Sequence, residues 1–341
     1  MRNTITCRRF CFASMCLIAI TAAWAQGTGE RRGRLVDRFH QLDVNGDGVL
    51  TGAELPQAPW VKRVDANGDG SITPDEARRA FEVAQETPQN SAKDDAKTLA
   101  TLQLREWKID GVIRQALIHV PKTDPVKPVV FAFHGHGGTM RTAARTFNYH
   151  TLWPEAIVVY MQGLPTPGKT DPDGKKPGWQ KSPGDQGDRD LKFFDAVLAD
   201  LMREYRADAN RIYVTGHSNG GVFTYLLWGA RGDVLAAVAP SAAIAMGNFP
   251  VLKPIPVLHV AGKNDELVRF AWQENAMNAV RTVNQCEPQG KPWDKSGPLV
   301  GTIYPSATGM PFISLIHPGS HKYPEQASAL ISKFFQENVR K

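Results

Sequence analysis

Arg211-Ile212-Tyr213-Val214-Thr215-Gly216-His217-Ser218-Asn219-Gly220-Gly221-Val222 is the stretch that decides the fold. It opens on a β-branched run, turns through Gly216-His217-Ser218-Asn219-Gly220 and continues into an apolar stretch, residues 222–228, with helical character. A serine in a Gly-x-Ser-x-Gly turn between strand and helix stands exposed at the top of a sheet, and small neighbours relieve the crowding that so sharp a turn creates. The competing reading is a glycine-rich phosphate cradle, which would require a lysine after the turn; none follows.

Outward from this turn, strands are expected at 107–109, 112–120, 129–133, 157–160, 211–215, 235–239, 257–261 and 312–316. Asp110-Gly111 between the first two is a hairpin signal. Helices are expected at 190–205, 222–228, 269–283 and 324–339. In the first of these, Phe193, Phe194, Val197, Leu198, Leu201 and Tyr205 recur at spacings of three and four. Such alternation predicts an α/β fold, a mostly parallel sheet covered by helices on both faces.

A serine on such an elbow needs a base and an acid, and in this fold they follow in the chain order serine, acid, histidine. The acid should stand just past a later strand: Asp265 does, in Gly262-Lys263-Asn264-Asp265, with Glu266 as its rival. The base should follow the last strand. His321, in His317-Pro318-Gly319-Ser320-His321, fits, while His317 at the strand end reads better as a packed residue. An oxyanion hole needs backbone N–H groups fixed in advance. One is expected from Asn219 and one from the glycine-rich loop His134-Gly135-His136-Gly137-Gly138, through the amide of His136. His134 is expected to be structural. The segment 163–187 is long for a simple connection. Its Trp179 and Gln180 are expected to line the substrate cleft, the bland alternative being that Trp179 merely pins the loop.

A different chemistry precedes this domain. Asp43-Val44-Asn45-Gly46-Asp47-Gly48 with Glu54, and Asp65-Ala66-Asn67-Gly68-Asp69-Gly70 with Glu76, repeat one calcium-loop template. Oxygens at positions 1, 3 and 5 converge on a hard cation, glycine at position 6 makes the turn, and glutamate at position 12 closes the site. The ligand sets would be Asp43, Asn45, Asp47, the Val49 carbonyl, Thr51 and Glu54, and Asp65, Asn67, Asp69, the Ser71 carbonyl, Thr73 and Glu76. Position 8 is apolar in both (Leu50, Ile72), as pairing of the loops through a short strand requires. Thr73 is placed to cap a following helix that carries Pro74 in its first turn. Residues 34–84 resemble paired EF hands, a small α-helical module that binds calcium away from the serine.

The N-terminus reads as an export signal over residues 1–25: Arg2, Arg8 and Arg9, an apolar run from Phe10 to Ala23, then Ala23-Trp24-Ala25. The organisation expected is therefore signal 1–25, EF-hand pair 27–84, linker 85–103 and catalytic domain 104–341, in an exported protein, periplasmic or extracellular. Three arginines and no acids leave with the signal, so the formal net charge of +6 falls by three. That is too little to argue for nucleic acid or an anionic membrane as partner. Of four cysteines only Cys286 remains, so no intramolecular disulfide can form.

Residues 105–341 resemble the polyhydroxybutyrate depolymerase and feruloyl esterase group, close to the family 1 carbohydrate esterases. The matching stretches are 134–138, Gly178-Trp179-Gln180, Asp188-Arg189-Asp190, 216–221, 262–265 and 319–324. The resemblance implies an α/β-hydrolase, an extracellular serine ester hydrolase with no metal at the chemistry, acting on small or polymeric esters. Two positions depart from the group: His136 stands where a cysteine is common, and the aromatic after the last histidine is displaced to Tyr323. A serine peptidase of the same fold and a non-catalytic, calcium-dependent binding protein are the alternatives.

Overall fold

A computed structural model describes Phe39 and residues 42–55, 61–65, 69–77, 99, 101–122 and 126–340. The expected signal at 1–25, most of the expected linker and the calcium-loop residue Asn67 lie outside the described residues. The chain forms two compact units, Met1–Lys93 and Asp94–Lys341.

In the first unit, β1 (Leu50–Thr51) pairs antiparallel with β2 (Ser71–Ile72), Leu50 opposite Ile72. Both of those side chains are buried, so the apolar position 8 of each loop does join the two. A single helical turn, α1 (Val61–Val64), precedes the second loop. Residues 74–77 are helical after it. Thr73 caps that turn: its Oγ1 accepts from Glu76 N at 3.2 Å, and Glu76 Oε2 accepts from Thr73 N at 3.0 Å.

The second unit is built on a ten-stranded sheet. In chain order its strands are β3 (Gln103–Ile109), β4 (Val112–His119), β5 (Lys127–Phe133), β6 (Ile157–Met161), β9 (Ala207–His217), β10 (Ala237–Ser241), β11 (Val257–Gly262), β12 (Lys291–Ser296), β13 (Leu299–Tyr304) and β14 (Phe312–His317). A two-residue ribbon, β7 (Leu164–Pro165) with β8 (Pro177–Gly178), lies apart from it. Six strands, in the order β14-β11-β10-β9-β5-β6, run parallel. An antiparallel hairpin closes each edge, β3–β4 beside β6 and β12–β13 beside β14. The Asp110-Gly111 turn has positive φ at both residues, +47° and +85°, as a two-residue hairpin demands.

Alternation along β5 explains the layers. Val129, Phe131 and Phe133 enter one core, Val130 and Ala132 the other. The first core is roofed by α4 (Arg189–Glu204), α5 (Asn219–Arg231) and α6 (Phe270–Val283). The second is roofed by α2 (Met140–Phe147), α3 (Tyr149–Leu152) and α7 (Ala327–Glu337). All eight expected strands and four expected helices exist, with ends shifted by a few residues. The hairpin β12–β13 and the helices α2 and α3 were not anticipated.

Candidate active site

Ser218 sits between the end of β9 and the start of α5 with φ +57° and ψ −120°. The sequence permits this because its glycines face one another: a Cβ on Gly216 would lie 2.4 Å from the Gly220 carbonyl oxygen, and one on Gly220 would lie 2.2 Å from that of Phe133. No side chain fits at either position. The Ser218 amide is fixed by the Ser241 carbonyl at 2.9 Å.

Three residues distant in sequence meet here. His321 Nε2 lies 2.8 Å from Ser218 Oγ, and His321 Nδ1 lies 2.8 Å from Asp265 Oδ2. Asp265 is buried. Its Oδ1 accepts from the amides of Leu267 and Val268, each at 2.9 Å, and its Oδ2 also accepts from Gln273 Nε2 at 3.1 Å. Both Asp265 oxygens act as acceptors, so the consistent assignment has His321 Nδ1–H donating to Oδ2 and Nε2 accepting from the serine hydroxyl. Behind this, Tyr225 OH meets His259 Nδ1 at 2.8 Å and His259 Nε2 meets Gln273 Oε1 at 3.3 Å. Asp265 thus ends a buried chain of four side chains, Tyr225–His259–Gln273–Asp265. The rivals are elsewhere engaged: Glu266 is exposed, and His317 Nδ1 accepts from Gly319 N at 3.1 Å.

The glycine-rich loop packs against the elbow, since a Cβ on Gly135 would stand 3.5 Å from Ser218 Cβ. The amides of Gly137 and Gly138 are occupied by Pro177 O at 2.7 Å and Gly135 O at 2.9 Å. That removes them as oxyanion donors and leaves the amide of His136 as this loop's candidate, beside that of Asn219 at the start of α5. The His136 ring packs on Gly168 and Gly178, and its Nε2 is 3.4 Å from Asp171 Oδ2. His134 is buried, with Nδ1 2.8 Å from Gly135 O and Nε2 accepting from Gly163 N at 3.0 Å. Burial pushes its pKa down to about 4. His217, beneath the His321 ring at 5.0 Å between centroids, is pushed down to about 3 by burial and then by the neighbouring imidazole.

Trp179 and Gln180 require a correction: neither lines a cleft, being 0% and 1% exposed. The Trp179 backbone makes a two-way clasp with the Asn219 side chain, N–H to Oδ1 at 2.7 Å and carbonyl from Nδ2 at 3.0 Å. Its indole stacks on Phe223 and donates to His134 O at 2.8 Å. A large apolar ring placed among Phe133, His134 and Phe223 gains more by burial than by facing solvent. Gln180 joins the same segment to α4: its Oε1 accepts from Asp190 N at 3.0 Å, and its own N–H donates to Asp190 Oδ2 at 2.8 Å. Asp190 in turn pairs with buried Arg114 at 2.7 Å. Tyr323 also turns inward, against Phe147 and His217. Sequence reasoning missed Gln273, Asp171 and His259. No local motif marks them, because they touch the site only through the fold.

In the first unit, Glu54 Oε1 accepts from the amides of Val44 and Asn45 at 3.0 and 3.1 Å, so position 12 folds back on the start of its loop. Asp43 accepts from Gly46 and Gly48, and Asp47 from Val49. In the second loop Asp65 accepts from Gly70, and Asp69 from Ser71. Gly48 and Gly70 take φ of +81° and +83°. Among the described residues no three carboxylate, imidazole or thiol groups are gathered closely enough to hold a metal. The oxygen-only donor set and the glycine turn nonetheless suit a hard cation such as calcium.

Residues 35–57 and 60–81 match the family described as EF hand. The chain is similar to a bifunctional acetylxylan esterase/xylanase of Neocallimastix patriciarum, 26% identical over 52% of this chain and 25% of that protein. It is also similar to feruloyl esterase C of Emericella nidulans, 27% identical over 61% of this chain and 76% of that protein. The chain therefore spans a quarter of the first relative and three quarters of the second. Among solved structures, an acetyl xylan esterase from Aspergillus awamori superposes with a TM-score of 0.52 at 14% identity, over 69% of this chain and 99% of that one. A ferulic acid esterase gives 0.50 at 14% identity, over 69% and 97%. None of these four is a polyester depolymerase. The shared architecture, the sequence relatives and the EF-hand match together make this chain an α/β-hydrolase related to the feruloyl and acetylxylan esterases, with an EF-hand region preceding the hydrolase domain.

Proposed function

We propose that the protein is an exported serine esterase that hydrolyses acetyl or feruloyl esters of polysaccharides through an acyl-enzyme, with Ser218 as nucleophile, His321 as base and Asp265 as acid. The observation that carries this reading is the Ser218–His321–Asp265 relay, 2.8 Å at each link, on a strained elbow. In the first step His321 Nε2 takes the hydroxyl proton as Ser218 Oγ attacks the carbonyl carbon. The negative charge moves to the carbonyl oxygen, where the amides of His136 and Asn219 receive it. Asp265 steadies the imidazolium, which returns its proton to the departing sugar hydroxyl. A water then gives its proton to His321 and attacks the acyl-enzyme, releasing the acid and restoring Ser218.

Calcium, when bound, would supply charge neutralisation to the two acidic loops. Asp43, Asn45, Asp47, the Val49 carbonyl, Thr51 and Glu54 would hold one ion, and Asp65, Asn67, Asp69, the Ser71 carbonyl, Thr73 and Glu76 the other. It has no part in the ester chemistry.

The test is an assay of the purified protein and its Ser218→Ala variant on acetyl, feruloyl and hydroxybutyrate esters and on a blocked peptide. Hydrolysis of the first two, reduced about 10⁴-fold or more in the variant, is the expected outcome. Peptide cleavage without ester cleavage, or a variant as fast as the parent, would remove the reading.

A further inference from the structure

Around Ser218 the contacts close into a ring. Its elbow packs on Gly135, and the neighbouring His136 packs its imidazole on Gly168. Lys169 follows, with Nζ 5.8 Å from the centre of the Trp272 ring. Gln273, next to Trp272, holds Asp265, and Asp265 returns through His321 to Ser218. Lys169 and Trp272 are therefore tied on one side to the oxyanion-loop residue His136 and on the other to the support of Asp265.

A second cation shares the same indole: Arg269, whose guanidinium carbon lies 5.4 Å from the ring centre. Trp272 is 43% exposed, and both cations are solvent-facing. Among the described residues no carboxylate pairs with either. Glu266 and Glu274, which flank Arg269 in sequence, are exposed and bridge to neither. Elsewhere on this unit cations are commonly matched, as in Arg231 with Asp195, Lys333 with Asp294 and Arg211 with Asp208. Two like charges gathered at one aromatic ring repel each other, a cost that a bound anion would lower. Of the carboxylates on the same loop, Asp171 faces His136 and Asp173 pairs with Lys175, so neither neutralises Lys169.

We propose that Lys169 and Arg269, steadied by Trp272, form a carboxylate-binding subsite at the mouth of the active site, so that the preferred substrates are esters carrying a carboxylate near the scissile bond. This deepens the esterase reading and rests on it. The carboxylate could belong to a uronic-acid residue of a glycan or to the free end of a hydroxy-acid oligomer. The chemistry is the same, and the choice of substrate separates the two.

The experiment compares kcat/KM on an O-acetylated glucuronic-acid glycoside with that on its uronamide, and on a 3-hydroxybutyrate dimer with that on its terminal amide. Parent protein and K169A/R269A are assayed at low and high salt. The expected result is a preference for at least one acid over its amide of about tenfold at low salt. The preference should shrink with salt, as a solvent-facing charge contact does, and disappear in the double variant. Equal rates on acid and amide in the parent, or a preference that survives in K169A/R269A, would overturn the subsite. Thermal melting establishes that the variant is folded; if it is not, the salt dependence of the parent decides. Should the parent hydrolyse no ester at all, the esterase reading fails. Calorimetric titration of the acetylated glycoside and of the dimer, each against its amide, into Ser218→Ala protein then decides the subsite: binding of either acid alone supports it, and binding of neither overturns it.

Discussion

Ser218 occupies a backbone state that costs a non-glycine residue about 1–3 kcal/mol, and the clasp between Asn219 and Trp179 is one of the contacts that hold it there. The peptide group of Trp179 and the amide of Asn219 exchange two hydrogen bonds, while the indole fills the space between Phe133 and Phe223. Trp179→Ala should therefore lower stability by about 3–5 kcal/mol, the cost of a large cavity in a packed core, as read from denaturant unfolding. A loss below about 1 kcal/mol would mean that the indole is not part of the core. This distinction was not legible in the sequence. Trp179 stands in a glycine- and proline-rich segment that reads as surface, and only the tertiary arrangement reveals that the segment folds back beneath the oxyanion loop. Ser218, Asp265 and His321 were legible because each follows a strand end in the order the fold imposes.

At the level of elements, what could be read depended on burial. The central strands are apolar on both faces and declared themselves. The edge strand β12 runs Lys291-Pro292-Trp293-Asp294-Lys295-Ser296, with no alternation to betray it. Helix α2 carried a usable signal that went unread: Met140, Ala143, Ala144 and Phe147 form one buried stripe at helical spacing, and Thr139 caps it. The paired EF-hand repeat was legible, and so was the pairing of Leu50 with Ile72 that joins its two loops. If they bind calcium as proposed, Glu54→Gln and Glu76→Gln should each weaken one of two sites by about tenfold or more, since each removes the bidentate ligand. Calorimetric titration of calcium into the chelator-stripped protein measures this, and an unchanged isotherm in both variants would exclude the loops as the sites.

Across the whole molecule, buried histidines set an acid limit. His134 and His259 are pushed down to about 4 and His217 to about 3, in each case chiefly by burial. An unfolded histidine titrates near 6.5. Between about 6.5 and 4 the unfolded chain therefore binds protons that the folded chain refuses, and stability falls as pH falls. Below that window Asp171 and Asp188, both held low by backbone hydrogen bonds, add their own loss. The thermal midpoint should be flat near neutrality and decline steadily once the pH drops below about 6.5. A midpoint constant down to pH 4 would show that these rings are not buried neutral.

The antiparallel hairpins that close the sheet have a consequence for life at high concentration. An open sheet ends in two rows of unpaired peptide groups, each a template on which another chain could continue the ladder. Here the outermost strands are β3, with Arg105, Glu106 and Lys108, and β12, with Lys291, Asp294, Lys295 and a proline that has no amide to offer. The apolar parallel strands most prone to recruit a neighbour are kept away from both ends. Polymerisation through the sheet margins is thereby discouraged by charge and by the missing donor, and with Cys286, the cysteine among the described residues, free of any disulfide, partial opening of this unit meets no covalent restraint there.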